Sequence, residues 1–204
     1  MAGKKYALIS VYNKAGIVRF ARFLGEKEFT VLSTGGTAEA LRADGIDVVD
    51  VATFTGFPEM MGGRVKTLHP NIHAAILARR DNKGDMAELV NRGIGSIDIV
   101  VCNLYPFQKT VESGASFEEC MGNIDIGGVA LIRAAAKNHG HVAVVTDPAD
   151  YENVMRGIEG YEWGELYARR FGLATKAFDY VANYDADISN FFHEKDRGLR
   201  RVKH

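Results

Sequence analysis

The stretch YALISVYNKAGIVRFARFLGEKEFTVLSTGGT, residues 6–37, decides the fold class. It opens with YALISV at 6–11, an apolar run of strand length, which breaks at Asn13. Apolar Ile17, Val18, Phe20, Ala21 and Leu24 then follow at helical spacing. That order reads as strand, turn, helix. The unit begins again with FTVLS at 29–33, which leads into Gly35 and Gly36 and a short helical stretch through Ala38, Ala40 and Leu41, ending near Gly45.

Working outward, a third strand is expected at 46–51 (IDVVDV), and others at 74–78 (AAILA), 97–102 (IDIVVC) and 142–146 (VAVVT). Helical patterns at 85–92, 127–138 and 148–157 alternate with them. Continuous apolar strands separated by helices indicate a parallel sheet covered on both faces. Residues 164–193 carry Tyr167, Phe171, Ala174, Phe178, Val181, Tyr184, Ile188 and Phe191, a three-to-four spacing that predicts one long packed helix.

The 204 residues show no linker-like or low-complexity stretch, so one domain is expected over 1–204, with 195–204 a flexible basic tail. A hydrophobic share of 47% and a charged share of 25% suit a globular chain with a real core. The net charge of −1 supplies no broad field for a nucleic acid, so any anion site must be local. Neither a signal peptide nor an apolar run approaching the roughly 20 residues of a membrane span occurs, and a cytoplasmic location is expected. Cys102 and Cys120 lack metal-ligand spacing and read as reduced thiols, Cys102 as packing.

Sheets of this kind bind ligands beyond the carboxyl ends of their strands. SVYNK (10–14), STGGT (33–37), GGRVKTLHP (62–70), NLYPF (103–107) and IDIGG (124–128) fall there. STGGT follows a strand and opens a helix, so its N–H groups and hydroxyls suit a monophosphate; the same residues also read as a tight turn with Thr34 or Thr37 as helix cap. It lacks the spacing of a dinucleotide or Walker loop. Lys14 either adds a point charge to that phosphate or is a solvated lysine.

GGRVKTLHP sets Arg64, Lys66, Thr67 and His69 after two glycines, an extended loop dense in donors for an oxyanion or phosphate. Its charges also fit plain solvation, and His69 before Pro70 a backbone turn. Asp125, just ahead of Gly127 and Gly128, reads as a catalytic base, as a carboxylate that recognises the nucleobase, or as a helix cap. Lys137 follows Arg133 by one turn and also reads as a dipole-compensating residue at a helix end.

Taken with TGFPEMMGGRVKTLHP at 55–70, CNLYPF at 102–107 and RAAAKNH at 133–139, these motifs resemble the inosine monophosphate cyclohydrolase family. That family is the amino-terminal half of bifunctional purine-biosynthesis enzymes whose other half is a formyltransferase. The likeness runs from Lys5 to about Phe192. It implies a fold like methylglyoxal synthase, a three-layer α/β sandwich with a mostly parallel sheet and a C-terminal helical extension. The reaction it implies is closure of 5-formamidoimidazole-4-carboxamide ribonucleotide to inosine monophosphate with loss of water, with no metal or cofactor.

By that resemblance Ser10, Lys14, Thr34, Gly35, Gly36 and Thr37 bind phosphate and ribose, and Arg64 and Thr67 complete the cradle. Asn103, Ile126 and Gly127 frame the base, while Lys66, Tyr105, Asp125 and Lys137 carry the chemistry: Asp125 accepts or orients the carboxamide proton, and the others donate to the formyl oxygen and relay protons for dehydration. The likeness further implies a homodimer and a separate formyltransferase that supplies the substrate, neither nucleic acid nor membrane being a partner. Tyr12 and Asn13 depart from the SVSDK of many relatives, and the chain stops at His204 where a bifunctional relative continues. A phosphate-eliminating enzyme of the methylglyoxal synthase type and a nucleotide-sensing module are the competing readings.

Overall fold

The computed structural model describes residues 4–160 and 163–201, with side chains over 4–160 and 169–197. The side chains of Tyr167, Arg200 and Arg201, and the whole of Lys203, lie outside that description.

Five parallel strands form one sheet: β1 (Lys5–Val11), β2 (Phe29–Ser33), β3 (Val48–Asp50), β4 (Ile97–Asn103) and β5 (Ala143–Val145), in the order β3-β2-β1-β4-β5. The period-two alternation of β1 sends Ala7, Ile9 and Val11 to one face and Leu8 to the other. The first face packs against α1 (Ile17–Glu26), α2 (Gly35–Ala43) and α9 (Tyr151–Gly160) through Phe20, Leu24, Leu41 and Met155. The second packs against α4 (Pro70–Leu77), α8 (Gly127–Lys137) and α10 (Trp163–Arg201) through Ile72, Ile76, Leu131 and Val181. These make the three layers expected of the chain.

Between them run α3 (Val51–Thr55), α5 (Lys83–Asn91), α6 (Phe107–Glu112) and α7 (Phe117–Gly122). The chain winds outward one way from β1 through β2 to β3, and the other way from β4 to β5. The carboxyl ends of β1 and β4 are therefore the topological switch point, where open α/β sheets place their ligands.

Three expectations are corrected. AAILA, read as a strand, belongs to α4 and its cap: His69 Nδ1 accepts from Asn71 N at 3.1 Å and Pro70 opens the first turn. Ile72, Ala75 and Ile76 of that helix are buried, and a short buried helix is as apolar as a buried strand. In α10, Phe171 and Phe178 are 55% and 40% exposed, and Ala177 is buried in their stead. The helix also continues through Arg201, so the tail expected from residue 195 is helical over its described part, with Lys195 Nζ 5.2 Å from the Phe191 ring centre. Among the described residues no helix is long and apolar enough to cross a membrane.

Candidate active site

STGGT turns from β2 into α2 as expected. Thr34 is extended at the N-cap and Gly35 has a φ of 54°, a left-handed value that favours glycine. Thr34 makes no side-chain capping bond, which leaves the first N–H groups of α2 facing outward. Thr37 points the other way: its hydroxyl donates to Val11 O at 3.0 Å and accepts from Val11 N at 3.2 Å, and the residue is buried. Ser33 Oγ likewise donates to Ile9 O at 2.7 Å. These hydroxyls join α2 and β2 to the end of β1.

Asn103 performs a similar task on the other side of β1. Its Oδ1 accepts from Asn13 N at 2.8 Å, and its Nδ2 donates to Asn13 O at 3.2 Å. The SVYNK loop is thus docked on β4, and Tyr12 lies against Tyr105 with ring centres 5.1 Å apart. Tyr12 and Tyr105 are each about half exposed, at 51% and 48%. The departure at Tyr12 and Asn13 is accommodated by backbone pairing and an aromatic contact at the mouth of the site. Ser10 is half-buried at the end of β1, and Lys14 is exposed in the same loop.

GGRVKTLHP is a tight hairpin at its start rather than an extended loop. Gly62 and Gly63 have φ of 64° and 83°, and Met60 N donates to Val65 O at 2.9 Å. Arg64 is exposed and donates to Met61 O at 3.1 Å. Lys66 is carried inward, its Nζ 3.2 Å from where a Cβ on Gly35 would stand. Thr67 is buried with Oγ1 only 2.8 Å from an equivalent position on Gly127. The hairpin therefore bridges the starts of α2 and α8.

One residue before Ile126, the N-cap of α8, Asp125 Oδ1 accepts from Gly128 N at 2.7 Å and so satisfies a first-turn N–H of the helix. The same carboxyl is pushed above the ordinary carboxylate range by burial, against the opposing pull of the Gly128 bond and the Lys66 charge. Its Oδ2 makes no hydrogen bond among the described residues. A Cβ on Gly128 would stand 2.6 Å from that Oδ2 and 2.7 Å from Leu104 Cδ2, so only glycine fits there. Cys102 lies directly behind, buried, its thiol pushed up by desolvation and by the Asp125 charge. From below, Leu104 N donates to Tyr180 Oη at 2.9 Å and Asp125 N to Tyr184 Oη at 2.7 Å.

The structure thus gathers Gly35, Lys66, Thr67, Asp125 and Gly127, with Tyr105 on the next loop and Ile126 exposed beside it. It does not gather Lys137, which stands at the far end of α8, about 15 Å from Gly127 at the ordinary helical rise. Its neighbour Asn138 donates to Ile76 O at 2.7 Å and Ala78 O at 3.0 Å, toward the amino edge of the sheet.

A cavity of about 230 Å³ opens beside Lys66, lined also by Thr34, Gly35, Glu39, Arg42, Asp50 and Glu59. Sequence reasoning passed over these last four, although Glu59 lies inside the TGFPEMMGG motif. Arg42 pairs with Asp50 at 3.2 Å on the rim.

Residues 16–130 match the MGS-like domain family, and residues 135–203 match the AICARFT/IMPCHase bienzyme family. The chain is 50% identical over 189 residues to the bifunctional purine biosynthesis protein PurH of Bradyrhizobium diazoefficiens, covering 93% of this chain and 36% of that protein. It is 54% identical over 186 residues to PurH of Rhodospirillum rubrum, with coverages of 91% and 35%. The chain therefore spans about a third of the length of these curated relatives. Among solved structures, that titled "Crystal structure of ForH" matches with a TM-score of 0.78 at 34% identity, over 93% of this chain and 97% of the other.

Proposed function

The chain belongs to the MGS-like domain family and carries a region of the AICARFT/IMPCHase bienzyme family beside it, and from that premise we propose that it acts in purine biosynthesis as an inosine monophosphate cyclohydrolase. The observation that carries this reading is the junction of Lys66, Asp125 and the Gly35 turn. An ammonium group, a partly buried carboxylate and an anion-compatible helix start meet at the switch point of the sheet.

In this reading the nucleotide phosphate lies on the free N–H groups of Gly35 and Gly36, with Lys14 and Arg64 as outer charges. Ser10, Thr34 and Thr67 line the approach to the ribose. Thr37 and Asn103 contribute indirectly, since their polar atoms are already used in holding β1 and its loop. Ile126 and Gly127 offer an apolar face and backbone groups to the base.

Ring closure joins the carboxamide nitrogen of the substrate to its formyl carbon. An amide nitrogen is a weak nucleophile, so it must lose a proton as it attacks. Asp125 Oδ2 is the group placed to accept it, and burial makes this carboxylate a stronger base than an exposed one. Charge then develops on the formyl oxygen, which the Lys66 ammonium stabilises. That oxygen departs as water with two protons, one passed on from the carboxamide nitrogen by Asp125 and one given by Tyr105, which regains its proton from the former formamido N–H as the ring C=N bond forms. Lys137, at the far end of α8, is proposed to act from a distance through its charge at that helix end.

Offering the purified chain two substrates in parallel tests the proposal against a phosphate-eliminating reaction. The formamido nucleotide should yield inosine monophosphate, and dihydroxyacetone phosphate should release no inorganic phosphate. Phosphate release without inosinate would refute it.

A further inference from the structure

Tyr180, Tyr184 and Lys176 stand one turn apart on one face of α10, and each grips a segment at the carboxyl edge of the sheet. Lys176 Nζ reaches Asp147 Oδ2 at 2.6 Å and Asp150 Oδ2 at 2.8 Å, just beyond β5. Tyr180 Oη accepts from Leu104 N at 2.9 Å, just beyond β4. Tyr184 Oη accepts from Asp125 N at 2.7 Å and donates to Asn123 O at 3.3 Å, at the turn from α7 into α8. Leu104 precedes Tyr105 directly, so the two tyrosines hold the backbone of the segments from which Tyr105 and Asp125 project.

We propose that Tyr180 and Tyr184 are positioning residues of the catalytic site, their hydroxyls fixing the Leu104 and Asp125 backbone so that Tyr105 and the Asp125 carboxylate meet the substrate in register. The proposal rests on the cyclohydrolase reading above. Asp125 is held on both sides of its Cα, by Tyr184 at its own N–H and by the Gly128 N–H at its carboxylate, which leaves its side chain little freedom. Tyr184 is buried in the main core and Tyr180 is partly buried against it, and desolvation raises both phenols, so they stay neutral and hold their hydrogen bonds across the physiological range. The helix that carries them lies outside the stretch matched by the MGS-like domain. The grip is made at the loops that bear the chemistry.

The test uses Tyr180→Phe and Tyr184→Phe, singly and together, in the whole chain. Each removes one hydroxyl and keeps the ring. Tyr151→Phe is the matched control: Tyr151 is buried, stacked on Phe20 on the opposite face of the sheet, and its hydroxyl has no hydrogen-bond partner among the described residues. Turnover and KM for the formamido nucleotide are measured across pH, with backbone amide exchange at Leu104 and Asp125 and the Asp125 carboxyl titration followed by NMR.

Each single variant should lower kcat about tenfold, the worth of one lost hydrogen bond, with KM held within about twofold. Exchange at the released amide should quicken. In Tyr184→Phe the acid limb should move toward the ordinary carboxylate range as Asp125 gains water. The other charged or titratable groups facing it, Lys66 from the hairpin, Cys102 from β4 and Tyr180 from α10, are unchanged. Tyr151→Phe should match the parent throughout.

Folded variants with parental kcat and pH limb would overturn the proposal, even if the amides exchanged faster, because the hydroxyls would then be structural only. Failure of the parent to cyclise the nucleotide would strike the cyclohydrolase reading alone. In that case unchanged amide exchange and Asp125 titration in Tyr184→Phe would overturn the positioning role, and a change in both would support it.

Discussion

Gly128→Ala should disable the chain more severely than its single added methyl suggests. The new Cβ would lie 2.6 Å from Asp125 Oδ2, 3.0 Å from Asp125 Cγ and 2.7 Å from Leu104 Cδ2, where ordinary contact begins at 3.4 Å. The carboxylate must therefore retreat by about 0.8 Å, the difference between 3.4 and 2.6 Å. Overpacking of this kind costs about 1–3 kcal/mol, and weakening the Gly128 N–H bond to a carboxylate costs about 1.5–3 kcal/mol. The better helix propensity of alanine returns about 1 kcal/mol, so a net loss of about 3 kcal/mol is expected. For a chain of this size that lowers Tm by about 6–12 °C.

Displacing the base by most of an ångström should also cut cyclisation by about 100-fold at a temperature where the variant is folded. Circular-dichroism melting and initial rates of inosinate formation read the two effects. Gly25→Ala is the control: it lies in α1 with nothing within 4 Å of the new methyl, and should be neutral or more stable by about 0.5–1 kcal/mol. A Gly128→Ala protein with parental rate and Tm would refute the close approach of Asp125 and with it the assignment of the base.

Asp125→Asn should abolish most activity while leaving Tm at neutral pH within a few degrees, because the amide oxygen still accepts from Gly128 N. Burial raises the folded carboxyl above its unfolded value of 3.8, so the folded state holds that proton more tightly. Its contribution to stability therefore declines as pH rises from 3.8 through the folded value, while activity rises over that same upper limb. A parent whose acid limb follows an ordinary exposed aspartate would contradict this. Lys66→Ala should lower kcat by about 100-fold or more, and a change in KM alone would make it a binding residue. Thr37→Val should lose about 1–3 kcal/mol of stability, since it strands both polar groups of Val11; weaker inosinate binding at unchanged Tm would instead make the hydroxyl a ligand donor.

Much of this was legible in the sequence. The apolar runs YALISV, FTVLS, IDIVVC and VAVVT became β1, β2, β4 and β5, because strands covered on both faces show no polar alternation. AAILA defeated the same rule, since five apolar residues carry too little period to tell a buried helix from a strand. The helix signals were nonetheless present in His69 and Pro70. The hairpin glycines and the Gly127–Gly128 pair pointed to close backbone approach, and Lys66, Thr67 and Asp125 do converge around them.

What the chain order hid was direction. Thr37 and Asn103 have the chemistry of ligand donors, but their side chains turn back onto β1 and its loop, a choice made by tertiary neighbours many residues away. Lys137 lies near Asp125 in sequence and a helix length from it in space. Tyr184 read as one more core residue of an apolar stripe, and Tyr180 did not figure in it; only folding shows their hydroxyls reaching the site.

The most direct test of the account is the initial rate of inosinate formation from the formamido nucleotide, followed by absorbance with and without the purified chain. The account predicts a rate proportional to chain concentration, far above the spontaneous reaction and collapsing in Lys66→Ala. A progress curve identical with and without the chain would contradict it.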